Sequence, residues 1–163
     1  MPTHHDPTPP DCFRLEELEA FQSVENQLLS DVNYYLWLNR AEAGEAPFRF
    51  LYVLELVFEQ PEALLLSSGE DAEAIRVISP EALIDTAHRL QTLHGRVSVQ
   101  RISAGAFPLW QPVVGRTLES IRLSKKDNGL YLNDMLLLDF GFRRIMVQLG
   151  LKEGLEVGEF PVE

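Results

Sequence analysis

The chain has 163 residues, of which 45% are hydrophobic, and its formal net charge is −11. Its apolar runs are all shorter than the roughly 20 residues that a membrane span needs, so we expect no membrane partner. Residues 1–79 contain 15 acidic and 4 basic side chains, whereas residues 80–163 contain 10 of each. Because this acidity would repel a phosphate backbone, we expect no nucleic-acid partner.

The first residues predict a flexible, proline-rich arm over 1–12. Four of the first ten residues are prolines, and neither a basic start nor an apolar stretch suggests a signal peptide. Cys12 is the only cysteine, which excludes an internal disulfide and favours a reducing, cytoplasmic location. Acidic neighbours raise the pKa of a thiol, so we expect Cys12 to be buried or inert.

The first half predicts a short helix followed by strands. Asp11 is a suitable N-cap for a helix through about Gln22. Strands are predicted over 32–38, 48–58, 63–68 and 74–78, with a loop over 41–47 and a turn over 60–62. In the second strand, alternation predicts one apolar face made of Phe48, Phe50, Tyr52, Leu54, Leu56 and Phe58. Leu51, Val53, Glu55 and Val57 form the opposite, also largely apolar face, so this strand should be central in its sheet.

A connector over 80–103 contains the clearest helix pattern of the chain. Ser79 is a favourable N-cap and Pro80 a favourable first residue, while His94 and Gly95 should end the helix. The predicted buried stripe is Leu83, Ile84, Ala87, Leu90 and Leu93. Further strands are predicted over 96–102, 120–125, 130–140, 144–149 and 155–157, with an Asn-Gly turn at 128–129.

An internal sequence similarity relates residues 53–78 to residues 135–158. With two one-residue gaps, the pattern aligns identical residues: Leu54 with Leu136, Leu56 with Leu138, Phe58 with Phe140, Gly69 with Gly150, and Val77 with Val157. We therefore predict one strand-rich α+β domain over 13–163, built from two similar antiparallel β-meander units over 13–79 and 104–160. The connector helix should pack on the sheet. The alternative is that two unrelated amphipathic meanders resemble each other.

Motifs for catalysis and for cofactors are absent from the sequence. There is no Gly-x-Ser-x-Gly elbow, no phosphate-binding loop and no Gly-x-Gly-x-x-Gly. His88 and His94 are six residues apart and cannot ligate one metal as an i,i+4 pair does, while His4 and His5 lie in the arm. We therefore expect no catalytic residue, no metal and no cofactor.

Two groups of residues are candidates for binding. Glu55 and Asp139 occupy similar positions in the two units, and a cleft between the units could gather them with Arg143 and Arg144; alternatively, these acids face solvent or pair with arginines. The aromatic group is Tyr34, Tyr35, Trp37 and Trp110. Tyrosine and tryptophan are enriched at interfaces, although Trp110 could equally fill the core.

These patterns favour a non-catalytic, cytoplasmic protein-binding module. Its most concrete form is an acidic inhibitor or immunity-type protein that neutralises a basic effector, an analogy based on size and charge. The alternative is a small-molecule-binding or hydrolytic domain with its cleft near Glu55, Asp139, Arg143 and Arg144. A third alternative is a structural homodimer that pairs exposed strands.

Overall fold

The computed structural model describes residues 8–39, 48–59, 63–69, 73–93, 97–150 and 154–161. These residues form a strand-rich α+β fold with two helices and a curled, mixed sheet of nine strands. The elements in chain order are α1 (Leu15–Val24), β1 (Leu29–Asn39), β2 (Phe48–Phe58), β3 (Ala63–Ser67), β4 (Arg76–Val77), α2 (Pro80–Leu93), β5 (Val97–Ser103), β6 (Ser120–Lys125), β7 (Tyr131–Asp139), β8 (Arg144–Gly150) and β9 (Gly154–Phe160). The predicted loop over 41–47, the turn over 60–62 and the helix end at 94–95 lie outside the described residues.

In the strand order, the parallel pairing of β2 with β9 joins the two halves of the sheet. The strand order is β4-β3-β2-β9-β8-β7-β6, with β1 on the other edge of β2 and β5 paired with β1. Every pairing is antiparallel except that of β2 with β9, which consists of Leu51 opposite Gly154. Gly154 has φ +77°, and a Cβ there would collide with the backbone carbonyl of Leu51. Only glycine fits this position.

Each half contains four consecutive antiparallel strands, β1 to β4 and β6 to β9. Leu54 and Leu56 are fully buried in the same core as Leu136 and Leu138. Meanders are common, however, so this shared connectivity does not demonstrate a duplication. The pseudo-repeat stays a prediction.

Residues 10–12, assigned from sequence to the arm, contact the sheet. Cys12 forms an isolated antiparallel bridge with Leu132, and the Phe13 N–H donates to the Tyr131 carbonyl over 2.8 Å. Nearby, the Ile75 N–H donates to the Asn133 carbonyl over 2.8 Å, so the chain before β4 meets β7. The N-terminal segment and the chain before β4 therefore both contact β7 and help to close the curled sheet.

The apolar side chains form two clusters on opposite faces of the sheet. The inner cluster contains Phe13 and Phe21 from the N-terminal region together with residues of most strands. The outer cluster lies under α2 and contains Trp37, Phe50, Tyr52, Val53, Leu65, Leu83 and Leu90. The connector helix thus packs on the sheet as predicted.

A β-bulge in β2 makes the predicted single face of that strand wrong. Tyr35 pairs with Val53 and Leu36 pairs with Leu51, so Tyr52 is an extra residue on its strand. Tyr52 and Val53 consequently both belong to the outer cluster, and the alternation is inverted beyond them. Phe50 and Tyr52 therefore face α2, whereas Leu54, Leu56 and Phe58 face the inner core.

The helices also depart in part from the predicted pattern. α1 begins at Leu15, because Glu17 Oε1 accepts the Arg14 N–H over 2.9 Å in place of a cap at Asp11. In α2 the predicted N-cap is confirmed, since Ser79 Oγ accepts the Ala82 N–H over 3.2 Å. Ile84, predicted to be buried, is 57% exposed.

Candidate functional site

Glu55 lies in a polar network on the outer face of β1, β2 and β5. Its Oε1 accepts a hydrogen bond from Asn33 Nδ2 over 2.8 Å and lies 3.8 Å from Arg101 Nε. Burial raises the pKa of the Tyr35 hydroxyl above its ordinary value, and the negative charge of Glu55 adds to the shift. Residues of β1 and β5 therefore contact the Glu55 side chain.

Asp139 lies in a separate network at the end of β7. Its Oδ2 is 2.9 Å from Arg122 Nη2 and 3.4 Å from Arg144 Nε, while its Oδ1 accepts the Gly141 N–H over 2.8 Å. Arg143 pairs instead with Glu159, over 2.9 Å.

No contact among the described residues joins Glu55 to Asp139. Glu55 has partners in β1 and β5, whereas Asp139 has partners in β6, in β8 and in the turn that follows β7. Of the four residues predicted to share a cleft, only Asp139 and Arg144 form an ion pair with each other. Each acid instead lies near an arginine of a neighbouring strand: Asp139 is 2.9 Å from Arg122, and Glu55 is 3.8 Å from Arg101.

The predicted aromatic residues mostly serve the interior. Trp110 is fully buried, and its Nε1 donates a hydrogen bond to the Tyr34 hydroxyl over 2.6 Å. Burial raises the pKa of Tyr34, and the bond from Trp110 partly opposes that shift. Trp37 is 9% exposed and stacks on Phe50 and Tyr52 with centroid distances of 4.8 and 4.7 Å. The two tryptophans therefore offer little surface to a partner, whereas Tyr34 and Tyr35 are half-buried.

A buried ion pair that the sequence interpretation missed fixes α1 to β4. Glu17 is 3% exposed; its Oε1 lies 2.6 Å from Arg76 Nη1, and its Oε2 accepts the Val77 N–H over 2.9 Å. Arg76 also donates to the carbonyls of Cys12 and Pro10, over 3.1 and 2.7 Å. The signal in the sequence was the spacing of Glu17, which lies four residues from both Phe13 and Phe21 and so on the buried side of the helix.

Next to this ion pair, a cleft of about 420 Å³ opens between the N-terminal segment and residues 68–69 and 73–76. Its lining comprises Pro10, Asp11, Ser68, Gly69, Glu73, Ala74 and Arg76. None of the predicted binding residues lines it. The neighbouring Cys12 thiol is fully buried, and both burial and the charge of Asp11 raise its pKa, so it is a poor nucleophile.

The exposed face of α1 is acidic and carries an exposed leucine. This face comprises Leu15, Glu16, Glu19, Gln22 and Ser23, all exposed and at helical spacing. Leu15 is 68% exposed. Neither Glu16 nor Glu19 takes part in an ion pair with another described residue. We call these five residues the acidic face.

A groove of about 170 Å³, lined by both apolar and polar side chains, runs beside the acidic face, between α1 and β6. Its lining comprises Leu18, Phe21, Gln22, Glu25, Ile121, Leu123 and Tyr131. Gln22 belongs to both the face and the groove. Glu25 Oε2 accepts the Ile121 N–H over 2.8 Å, which holds the end of α1 against the start of β6.

Within the part of the chain that the structure describes, no three His, Cys, Asp or Glu side chains are grouped to hold a metal ion. Neither described helix has the length and apolar character to cross a bilayer. Comparisons with protein-family models, with curated proteins and with solved structures find no match to this chain.

Proposed function

We propose that this protein is a non-catalytic protein-binding module that recognises a basic partner through the acidic face of α1. The observation that carries the proposal is the pair of exposed carboxylates, Glu16 and Glu19, beside the exposed Leu15. Arg14, which directly precedes Leu15, is also exposed, but the two carboxylates outnumber it. An exposed apolar side chain with an excess of one charge beside it is typical of a surface that a complementary protein covers.

The charge of α1 is not balanced by the helix itself. The helix contains Glu16, Glu17 and Glu19 and no lysine or arginine. Arg76 pairs with Glu17 inside the fold, and Arg14 at the N-cap is exposed, so Glu16, Glu19 and Arg14 together leave a net charge of −1 on the outward side. A partner bearing lysine or arginine would supply the missing counter-charges and would be attracted over about one Debye length, about 8 Å at physiological salt.

The groove provides an apolar contact next to these charges. Its volume of about 170 Å³ suits one or two apolar side chains, and Gln22 connects it to the acidic face. A partner with an apolar residue flanked by basic residues would therefore fill the groove and pair with Glu16 and Glu19. Central apolar anchors with a charged rim are the usual arrangement of protein interfaces.

The inhibitor or immunity-type role and the cytoplasmic location are parts of this same proposal. The pairing of Glu55 and Asp139 with arginines and asparagine favours a binding role over hydrolysis, because hydrolytic chemistry requires paired acids that are free.

We also propose that the two meanders arose by duplication, on the strength of the five identical aligned residues.

The proposal can be tested by photo-crosslinking from the acidic face. A benzophenone amino acid placed at Leu15, which is 68% exposed, should capture a basic protein from a lysate of the source cells. The same group at Gln111, which is exposed in the second half, is the control for random encounter. Capture at Leu15 should decline as salt is raised to about 0.5 M.

Two charge variants make this test specific. Glu16→Gln with Glu19→Gln should reduce the capture, whereas Asp127→Asn with Asp134→Asn removes the same charge from exposed sites in the second half and should not. Equal capture from Gln111, or capture that ignores both salt and the α1 variants, would refute the role of the acidic face.

The cleft supports a second candidate function, the binding of a small ligand. Its volume of about 420 Å³ falls within the range of small-molecule sites. Exposed Glu73 and half-buried Arg76 line it, so polar ligands are favoured. A library screen in which ligands raise the melting temperature of the wild type but not of a Glu73→Ala variant would support this candidate, and an equal response of both would remove it.

A further inference from the structure

A cationic and aromatic surface lies at the turn between β7 and β8, in a chain whose net charge is −11. Phe142 projects from this turn and is 56% exposed. The guanidinium carbon of Arg116 lies 5.5 Å from the centroid of the Phe142 ring, in cation–π geometry. The turn itself is fixed by the Phe140 N–H, which donates to the Arg143 carbonyl over 2.9 Å.

Asp139 holds two guanidiniums beside this turn. Its carboxylate is 7% exposed and pairs with both Arg122 and Arg144, over 2.9 and 3.4 Å. One negative charge therefore meets two positive charges, and one positive charge is left over. Arg122 is the more exposed of the two, at 54%. Because a guanidinium has five donor N–H groups, Arg122 can pair with Asp139 and still present donors to a ligand.

The acids nearby limit the excess of positive charge. Glu159 pairs with Arg143 over 2.9 Å, and the carboxylate of Glu119 lies against Gly141. Among the described residues that these contacts bring together, four arginines thus lie near three carboxylates, which leaves a surplus of one. Nucleic-acid binding requires several phosphates to be neutralised at once. A surplus of one suits a ligand that offers one or two carboxylates.

We propose that this surface, made of Arg116, Arg122, Phe142 and Arg144, binds an acidic peptide segment. A carboxylate of the peptide accepts two parallel N–H groups of Arg122, in the bidentate geometry that guanidinium and carboxylate favour. A neighbouring apolar side chain of the peptide packs on Phe142, whose ring is exposed and fixed beneath Arg116. This site shares no residue with the acidic face of α1 and would serve a second partner.

The test uses a peptide of two aspartates between two leucines, acetylated and amidated, with binding to the full chain followed by calorimetry. Arg122→Gln should weaken binding by about tenfold. Arg122→Lys, which keeps the charge but loses the two parallel N–H donors of the guanidinium, should weaken binding by less. Phe142→Ala should weaken it by about three- to fivefold. The matched control is Arg101→Gln, which removes an arginine that is 59% exposed on β5 and should change binding less than about twofold.

Folding of each variant is checked by its melting curve; Arg144 still pairs with Asp139 when Arg122 is replaced, and Phe142 is exposed, so both variants should fold. The Glu16→Gln and Glu19→Gln variant should bind the peptide as the wild type does, which separates this site from the proposed function. The proposal is overturned if no binding is detected, if a peptide with asparagines binds equally well, or if Arg122→Gln has no effect. Stronger binding of a single-stranded oligonucleotide to the same arginines would also overturn it.

Discussion

Breaking the buried pair of Glu17 and Arg76 should cost more stability than any other change of one charge on α1. Glu17→Ala removes the acceptor of Arg76 and of the Arg14 and Val77 N–H groups, while Arg76, 20% exposed, is left without its counter-charge. Removing one partner of a buried ion pair typically costs about 3–5 kcal/mol. The partial exposure of Arg76 places the expected loss near the lower limit, about 3 kcal/mol.

The assay is urea unfolding followed by circular dichroism, with Glu19→Ala as the matched control. Glu19 is on the same helix, exposed and without an ion pair to the described residues, so its loss should change the free energy of unfolding by at most about 0.5 kcal/mol. In a double-mutant cycle, Glu17→Ala and Arg76→Ala should show a coupling energy of about 2 kcal/mol. Equal effects of Glu17→Ala and Glu19→Ala would refute the claim that this pair fixes α1 to β4.

Three further predictions concern the core, the pairing of β2 with β9 and the response of stability to pH. Phe58→Ala and Phe140→Ala, both at residues 4% exposed, should each cost about 3–5 kcal/mol in urea unfolding, and unchanged midpoints would place these rings outside the core. Gly154→Ala should lower the free energy of unfolding by at least the roughly 1–2 kcal/mol of a left-handed alanine, with a further loss from the clash with Leu51. A melting temperature equal to that of the wild type would contradict the close approach of Gly154 to Leu51. Because burial raises the pKa of Tyr34 above 10.0, the folded state holds that proton longer, so stability should fall as pH rises above about 10; Tyr34→Phe should lessen this fall, and an identical pH dependence in that variant would refute the assignment.

Local sequence signals predicted the elements whose pattern is set by near neighbours. The strand over 120–125 has its predicted bounds, and the cap at Ser79 before Pro80 is present, because both depend on residues within a few positions. The bulge at Tyr52 was not predictable from alternation, since Tyr52 and Val53 are both apolar and fit either face. Ile84 followed the helical period but is 57% exposed, whereas Leu83 and Leu90 are buried, so the buried stripe of α2 is narrower than the period alone predicts.

Contacts between distant segments explain what the sequence did not reveal about the candidate sites. Arg76 and Glu17 are 59 positions apart, and Arg122 meets Asp139 across the β6–β7 pair. Glu55 on β2 and Asp139 on β7 are separated by β9 and β8 in the strand order, which alternation along one strand does not encode. The acidic face was visible only as a net charge, because exposure distinguishes Glu16 and Glu19 from buried Glu17.

The central claim is tested most directly by the association rate of the basic partner that crosslinking identifies, measured as a function of salt. Between about 0.05 and 0.5 M salt, the rate for the wild type should fall steeply, because screening shortens the range of attraction to Glu16 and Glu19. The Glu16→Gln and Glu19→Gln variant should associate more slowly at low salt and show a flatter dependence, while Asp127→Asn with Asp134→Asn should follow the wild type. A rate indifferent to salt, or one reduced equally by both pairs of substitutions, would contradict recognition through the acidic face of α1.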